Sequence, residues 1–338
     1  MRFLPAASSH TLAGMTKLVP RGASAVEPSA EAVTAPLTTG DELLGASDPF
    51  GAISDEPALA PRARVSALLS DARRGYAPLR KVFVQRPNTE EVRASVLSEL
   101  VHDRQERALD AFLLLHALQP VLAGTPLALG TWAALLSTKN SCTTNGASKA
   151  FSALVDRKLV KRTANGRRPI FEPLLEDGSG GSWTRPGQLE EEGPGYFTLP
   201  YAYWTRGIVD KLTLPGKAML LIMLAETQNP KTPTFSMAVE RAQSWYGISE
   251  RTAERGYSQL SQAGLLLVKV QKVADARHPA GRREVYHRAL ASPFATAARM
   301  RLQRDAVKGA KQRSDSVNAG APEPPDDRET TVSRRPTT

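Results

Sequence analysis

The clearest structural signal in the chain is residues 247–264, which read GISERTAERGYSQLSQAG. Gly247 suits the left-handed residue that follows a helix, and Ser249 is a favourable N-cap for the next helix. A helix that starts there and runs to about Ala263 would be closed by Gly264. Its inward face would carry Ala253, Gly256, Tyr257 and Leu260. The pattern predicts two helices joined by a tight glycine turn.

Apolar segments on both sides extend this unit. Upstream, residues 218–224 read AMLLIML, which is typical of a central buried helix, and Thr213 before Leu214-Pro215 marks its start. Downstream, residues 265–273 and 284–290 have the composition of two strands, and the loop between them is basic. The order is therefore helix, helix–turn–helix, β-hairpin.

This order resembles the winged helix-turn-helix superfamily of DNA-binding proteins, over about residues 205–290. The resemblance implies that the third helix enters the major groove of duplex DNA, where base edges present a distinguishable hydrogen-bonding pattern. It also implies that the hairpin, called the wing, contacts the flanking phosphates or the minor groove.

The exposed face of the predicted third helix carries side chains that suit DNA. Candidate contacts there are Ser249, Glu250, Arg251, Thr252, Arg255 and Ser258. Candidate contacts in the wing are Arg277, His278, Arg282 and Arg283. The competing interpretation is that Arg251 and Arg255 form a solvated face, paired at i,i+4 spacing with neighbouring acids.

A shift of 106 residues reveals a diverged repeat of this unit earlier in the chain. Thr143 falls on Ser249, Phe151 on Tyr257 and Leu154 on Leu260. Two strand-like runs then flank Asn165-Gly166, a hairpin turn signature. The sequence predicts an α+β protein that is mainly helical, with two winged-helix domains in tandem and small β-hairpin wings.

The first repeat is the less basic of the two at its third helix. Its candidate DNA contacts are Thr144, Asn145, Ser148 and Lys149 on the helix and Lys161, Arg162, Arg167 and Arg168 on the hairpin. The amide of Asn145 suits an adenine edge. Dimerisation or phosphate contact is the alternative for this helix, so a homodimer stays open. Before the helix, Asn140 replaces the turn glycine, because asparagine tolerates a left-handed backbone.

Charge and composition set the predicted boundaries. The chain of 338 residues has a net charge of +10, and residues 196–290 hold 13 basic against 7 acidic side chains. The acidic, glycine-rich segment 177–195 is typical of a flexible linker. The predicted order is a disordered Ala/Ser/Pro-rich tail at 1–60, an N-terminal extension at 61–90, the first winged-helix domain at 91–176, the linker at 177–195, the second winged-helix domain at 196–295 and a basic, then polar, disordered tail at 296–338.

Several classes of protein are excluded by what the sequence lacks. The single cysteine, Cys142, cannot form an intramolecular disulfide, and the five histidines have no metal-site spacing. No phosphate-binding loop or nucleophile elbow occurs, so we predict no enzyme, no cofactor and no metal. No apolar run approaches the roughly 20 residues that cross a bilayer, and no signal peptide is recognisable, which favours a cytoplasmic protein without membrane partners.

The predicted function is sequence-specific binding of double-stranded DNA, and no small-molecule effector is indicated. Transcription regulation is the leading role on the resemblance to bacterial regulators of this fold. A second role is initiation of replication at the origin of a plasmid or mobile element, because such initiators commonly carry two winged helices in tandem. A scaffold that binds protein through winged helices is the third option, since fold alone does not choose between them.

Overall fold

The chain combines helices with short antiparallel strand pairs. A computed structural model describes residues 54–87, 93–122, 125–165, 168–187 and 195–319. Within those ranges there are eleven α-helices and three two-stranded antiparallel sheets. The chain is therefore a mixed α and β protein, as the sequence predicts at this coarse level.

The first half of the chain, before residue 195, contains five α-helices and three strands among its described residues. The helices are α1 (Pro61–Ala72), α2 (Val96–His102), α3 (Glu106–Leu122), α4 (Leu129–Leu135) and α5 (Thr144–Asp156). The strands are β1 (Tyr76–Arg80), β2 (Val160–Asn165) and β3 (Arg168–Pro173).

In the described part of the second half, the first element is a strand and the last is the longest of the eleven α-helices. Its helices are α6 (Ala202–Thr205), α7 (Ile208–Lys211), α8 (Leu214–Glu226), α9 (Ala242–Tyr246), α10 (Glu250–Gln262) and α11 (Thr296–Ala319). Its strands are β4 (Tyr196–Pro200), β5 (Leu266–Ala274) and β6 (Arg282–Leu290).

Helix α8 forms the centre of the second half, and residues 216–225 are all buried. This confirms the central helix that the sequence predicts. Thr213 precedes the helix, but its hydroxyl accepts a hydrogen bond from Gln259 Nε2 of α10 at 2.7 Å and makes no cap. The side chain predicted to start α8 therefore joins α8 to α10.

The turn between α9 and α10 follows the predicted chemistry. Gly247 is left-handed with φ +67°, and Ser249 Oγ accepts a hydrogen bond from Thr252 N at 3.3 Å. Helix α10 then buries the four inward residues named from the sequence, and Gly264 follows with φ +70°. The local signals in residues 247–264 are thus confirmed.

The backbones of α8 and α10 approach closely where the helices cross. A Cβ atom on Gly256 would lie 2.2 Å from Met219 Cγ and 2.6 Å from the carbonyl oxygen of Pro215. We expect Gly256→Ala to lower the free energy of unfolding by about 1–3 kcal/mol, because the helices must move apart to admit the methyl group. Urea denaturation measures this, with the exposed Ser261→Ala on the same helix as the control. Equal stability of both variants would contradict the close approach.

The predicted repeat is present in the helix positions. Helix α5 and helix α10 have the same bounds under the shift of 106 residues, and each precedes an antiparallel hairpin, β2–β3 or β5–β6. Thr143 caps α5 by accepting a hydrogen bond from Gly146 N at 3.1 Å. The connection from α4 to α5 differs, because it spans residues 136–143 and none of them has a positive φ. Its length removes the need for a left-handed Asn140.

The two halves of the chain are packed on each other. Strand β1 pairs antiparallel with β4, from Tyr76 opposite Pro200 to Arg80 opposite Tyr196. Between α3 and α8, Lys217 Nζ lies 2.8 Å from Glu106 Oε1 and 2.7 Å from Asp110 Oδ2. The buried apolar residues of both halves form one continuous core. Residues 61–87, the described part of the N-terminal extension predicted at 61–90, contribute to this core through Val65, Leu79 and Phe83, and residues 88–90 lie outside the described ranges.

The expectation of a flexible linker at 177–195 is wrong for residues 177–187. Leu175 N donates to the carbonyl oxygen of Gly181 at 2.9 Å, so the chain folds back on itself. The carboxylate of Glu176 is buried and accepts hydrogen bonds from Arg80 Nη1 at 2.9 Å and from Trp183 Nε1 at 3.3 Å. The composition of 177–195 misled because Trp183 of this segment is held by the buried Glu176 just before it, and Ser182 forms a bridge with Leu174. Residues 188–194 lie outside the described ranges.

The predicted disordered tail at 296–338 is also wrong in its first part, where α11 runs from Thr296 to Ala319. The helix follows from residues of high helix propensity, mainly Ala, Arg, Lys and Gln, which can form a helix without a wide apolar stripe. Residues 320–338 lie outside the described ranges, as do residues 1–53 of the predicted N-terminal tail. Residues 54–60, the described end of that tail, form no helix or strand.

Candidate nucleic-acid interface

The outward face of α10 presents the side chains that the sequence assigns to DNA. Five of the six candidates are exposed, and Thr252 is half-buried. The fully exposed candidates are Ser249, Glu250, Arg251, Arg255 and Ser258. Because the inward face of α10 is held against α8, this row faces away from the core.

Arg251 and Arg255 are positioned for contacts outside the molecule. Residues four apart on a helix are neighbours on one face, so the two guanidinium groups lie near each other, and the exposed Glu250 and Glu254 directly precede them in sequence. Neither forms an ion pair with a residue that the structure describes, although Glu250 and Glu254 are close in sequence. The interpretation that they merely balance neighbouring acids therefore loses support.

The β5–β6 hairpin carries a second group of basic side chains. Arg277, His278, Arg282 and Arg283 are all exposed. Within the loop, Asp275 orders the turn, since its Oδ1 accepts a hydrogen bond from Arg277 N at 3.0 Å and its Oδ2 lies 3.5 Å from Arg283 Nε. His278 Nδ1 accepts a hydrogen bond from Ala280 N at 3.2 Å, which fixes the ring within the turn.

Sequence reasoning did not single out two further cations on this hairpin. Lys269 and Lys272 of β5 are exposed, and the strand register places them opposite His287 and Glu284. Both lysines stand in the strand-like run that the sequence shows, which contained the signal. Because they are three residues apart and successive side chains of a strand point to opposite faces, they add positive charge to both faces of the hairpin.

Arg288 of β6 ties the hairpin to α10. Its guanidinium carbon lies 4.2 Å from the centre of the Tyr257 ring, and its Nη1 donates to the carbonyl oxygen of Met237 at 3.1 Å. Its backbone exchanges two hydrogen bonds with Phe235, of 2.7 and 2.8 Å. Burial raises the pKa of Tyr257 to about 12, so the ring stays neutral under the cation. The hairpin is thereby held in a fixed place beside α10.

Helix α5 presents a weaker version of the α10 surface. Thr144, Asn145 and Lys149 are exposed, and Ser148 is half-buried. The shift of 106 residues places Asn145 at the position of Arg251 and Lys149 at that of Arg255. Arg157, at the end of α5, is half-buried and forms ion pairs with Asp103 and Glu99 of the α2 region. Among the four candidate residues of α5, only Lys149 is positively charged, whereas α10 has two arginines.

The hairpin after α5 is basic on both strands. Arg162 and Arg168 are exposed, and Lys161 lies 3.9 Å from Glu172 on the opposing strand. Strand pairing extends outward to Asn165 opposite Arg168. Arg167, the remaining candidate of this hairpin, lies outside the described ranges, as does Gly166 of the predicted turn.

The described part of the chain holds neither a metal-ligand cluster nor a membrane-spanning helix. No group of three or more His, Cys, Asp or Glu side chains there is arranged to hold a metal ion. None of the helices in the described ranges is long and apolar enough to span a membrane. Comparison of the chain with family models, with curated proteins and with solved structures finds no match.

Proposed function

We propose that the chain is a sequence-specific duplex-DNA-binding protein built from two tandem winged-helix domains. The observation that supports this most strongly is the surface formed by α10 and the β5–β6 hairpin. There, Arg251 and Arg255 are exposed without an ion pair to any described residue, and Arg288 fixes the basic hairpin beside them.

The physical chemistry of this surface fits duplex DNA. The major groove admits one α-helix, and arginine is the side chain that most often reads guanine through its O6 and N7 atoms. The hairpin adds Arg277, Arg282 and Arg283 for flanking phosphates, which fix the orientation of the protein on the duplex. Lys269 and Lys272 join this phosphate-binding group in the proposal.

The fixed packing of the two halves shapes the expected target. Because β1 pairs with β4 and Lys217 bridges α3 and α8, α5 and α10 cannot slide apart to suit variable spacing. We therefore expect one preferred distance between the two parts of the DNA site, in place of the adjustable bipartite site that a flexible linker would allow.

Two biological roles are consistent with this proposal. Transcription regulation is the first. Replication initiation is favoured by one specific observation: α10 presents two arginines that form no ion pair with a described residue, whereas α5 presents one lysine. In that role α10 would dock on DNA, and the first domain would dimerise instead of binding a second part of the DNA site. Selection of bound fragments from sheared DNA of the host separates the roles: scattered promoter sites support regulation, and one array of short repeats supports initiation.

The wing contact is tested by Arg282→Ala combined with Arg283→Ala. We expect the slope of log Kobs against log salt concentration to become shallower by about one to two units, because each lost phosphate contact removes nearly one released counterion. Fluorescence anisotropy on one labelled duplex measures the slope. Lys211→Ala with Lys231→Ala, two exposed cations outside the surface, serves as the control. An unchanged slope in the wing variant would contradict the contact.

A further inference from the structure

Helix α11 has one face that packs on the protein. Arg299 is buried, and the residues half-buried along the same face are Leu302, Gln303, Ala306 and Gly309. At 100° per residue these five positions fall within an arc of about 120°. The first three turns of α11 are therefore seated on the core.

Arg299 fixes the start of this helix firmly. Its Nη1 donates to the carbonyl oxygen of Leu224 at 3.0 Å, its Nη2 to that of Thr227 at 2.8 Å, and its Nε to that of Phe294 at 2.9 Å. The first two acceptors lie at the end of α8, so a fully hydrogen-bonded arginine sets the direction in which α11 leaves the core. The outward-facing side chains at the start of α11 therefore have a defined position relative to the core.

The opposite face of α11 carries a row of cations, Arg301, Arg304, Lys308 and Lys311. Their spacing of three, four and three residues puts all four within an arc of about 80°, centred roughly opposite the packed face. All four are exposed, and none forms an ion pair with a described residue. We call these four residues the basic stripe; Asp315 follows one turn later on the same side.

We propose that the basic stripe of α11 is a second, sequence-independent contact with the phosphate backbone of duplex DNA, separate from the α10 and hairpin surface. This rests on the proposed function, since it assumes that the protein binds duplex DNA. The stripe is about 15 Å long at a rise of 1.5 Å per residue. Duplex DNA carries about one negative charge per 1.7 Å of its axis, so several phosphates lie within reach of four cations.

The surroundings of the stripe favour nucleic acid over a membrane. An interfacial helix needs an exposed apolar face that enters the lipid, whereas the apolar side of α11 is packed against protein. Val307, 67 % exposed, is the one large apolar side chain that stands free among the described residues of the helix. Because α11 has no exposed apolar face, a partner of the basic stripe would be bound by its negative charge. A polyanion such as duplex DNA has that charge.

The test uses the full chain with the triple variant R304Q/K308Q/K311Q. Glutamine keeps the helix propensity and removes the charge. The probe is a random-sequence duplex of about 40 base pairs, followed by fluorescence anisotropy over a range of salt concentrations. We expect the slope of log Kobs against log salt to become shallower by about two to three units, as the loss of three phosphate contacts requires. Thermal unfolding should be unchanged, because the three side chains are exposed.

The matched control is R206Q/K211Q/K231Q, which removes the same charge from exposed sites elsewhere. Equal slopes for wild type and the α11 variant, or equal losses in both variants, would overturn the assignment. Loss of binding to phosphatidylserine vesicles in the α11 variant, with its DNA slope kept, would overturn it in favour of a membrane surface. If wild type does not bind the duplex, the proposed function is wrong. If wild type binds and the α11 variant binds equally well, only the assignment of the basic stripe is wrong.

Discussion

Replacing Lys217 with Met should lower the free energy of unfolding by about 3–5 kcal/mol, the largest stability effect that we expect in this chain. Lys217 is 1 % exposed, and its Nζ lies 2.8 Å from Glu106 Oε1 and 2.8 and 2.7 Å from the two carboxylate oxygens of Asp110. Removal of the ammonium group leaves the buried Asp110 carboxylate without its cation. Urea denaturation of the two proteins measures the difference.

The loss should also depend on pH in a defined direction. Burial raises the pKa of Asp110 to about 6 in the folded protein, even though Lys217 lowers it. An unfolded aspartate has a pKa of about 3.9. The folded state therefore holds this proton more tightly, and because Lys217 lowers the pKa of Asp110, Lys217→Met should raise it further. Between about pH 4 and pH 6 wild type and variant lose stability from this carboxyl in parallel, and above about pH 6 the variant alone continues to lose it. The penalty in Lys217→Met should therefore grow as the pH rises above about 6.

Two controls make the Lys217 result specific. Lys211→Met removes an exposed lysine and should change stability by less than about 0.5 kcal/mol. Lys217→Met combined with Asp110→Leu removes both charges and should recover most of the loss, because an apolar pair can replace a buried ion pair. A single Lys217→Met variant as stable as wild type at pH 7 would contradict the account of how the two halves are joined.

Arg251→Ala should remove the discrimination between the preferred DNA site and its variants, by about 1–3 kcal/mol at one base pair. Arg251 is exposed at the start of α10. In the proposed binding mode α10 enters the major groove, and the N-terminal end of such a helix is the end that meets base edges. Binding to the selected site and to its single-base variants, measured by anisotropy, gives the difference in free energy for each position. Arg206→Ala, another exposed arginine, is the control and should leave the discrimination intact.

The outcome also distinguishes the kind of contact that Arg251 makes. If all sequences lose affinity equally, Arg251 contacts phosphate and the base-reading assignment is wrong. If discrimination and affinity both stay at the wild-type level, α10 does not lie in the groove. Either result would leave the hairpin as the main contact and weaken the proposal of sequence-specific recognition.

The sequence predicts those parts of the fold whose signals are local. Ser249, Gly247 and Gly264 set the bounds of α10 through capping and left-handed backbone, which need no knowledge of distant residues. The repeat in α5 was predictable for the same reason, because Thr143 is a cap of the same kind. The candidate side chains on α10 followed once the buried face was known.

Features that depend on distant partners could not be read from the sequence. Glu176 directly precedes the predicted acidic linker, and nothing near it in sequence indicates that Arg80, 96 residues earlier, binds it. Lys217 lies in an apolar run, and nothing near it in sequence indicates Asp110. Arg288 reads as one more basic residue of the wing, although it packs on Tyr257. In each case a charged side chain is bound by a residue that is distant in sequence and close only in the folded chain.

The most direct test of sequence-specific DNA binding is a selection of bound duplexes from a random pool by the purified full chain, at about 0.1 M salt, in parallel with Arg251→Ala. We expect wild type to enrich one short motif and Arg251→Ala to lose the preference at one position of that motif. Failure of wild type to enrich any motif would contradict the claim that α10 and its hairpin read DNA sequence.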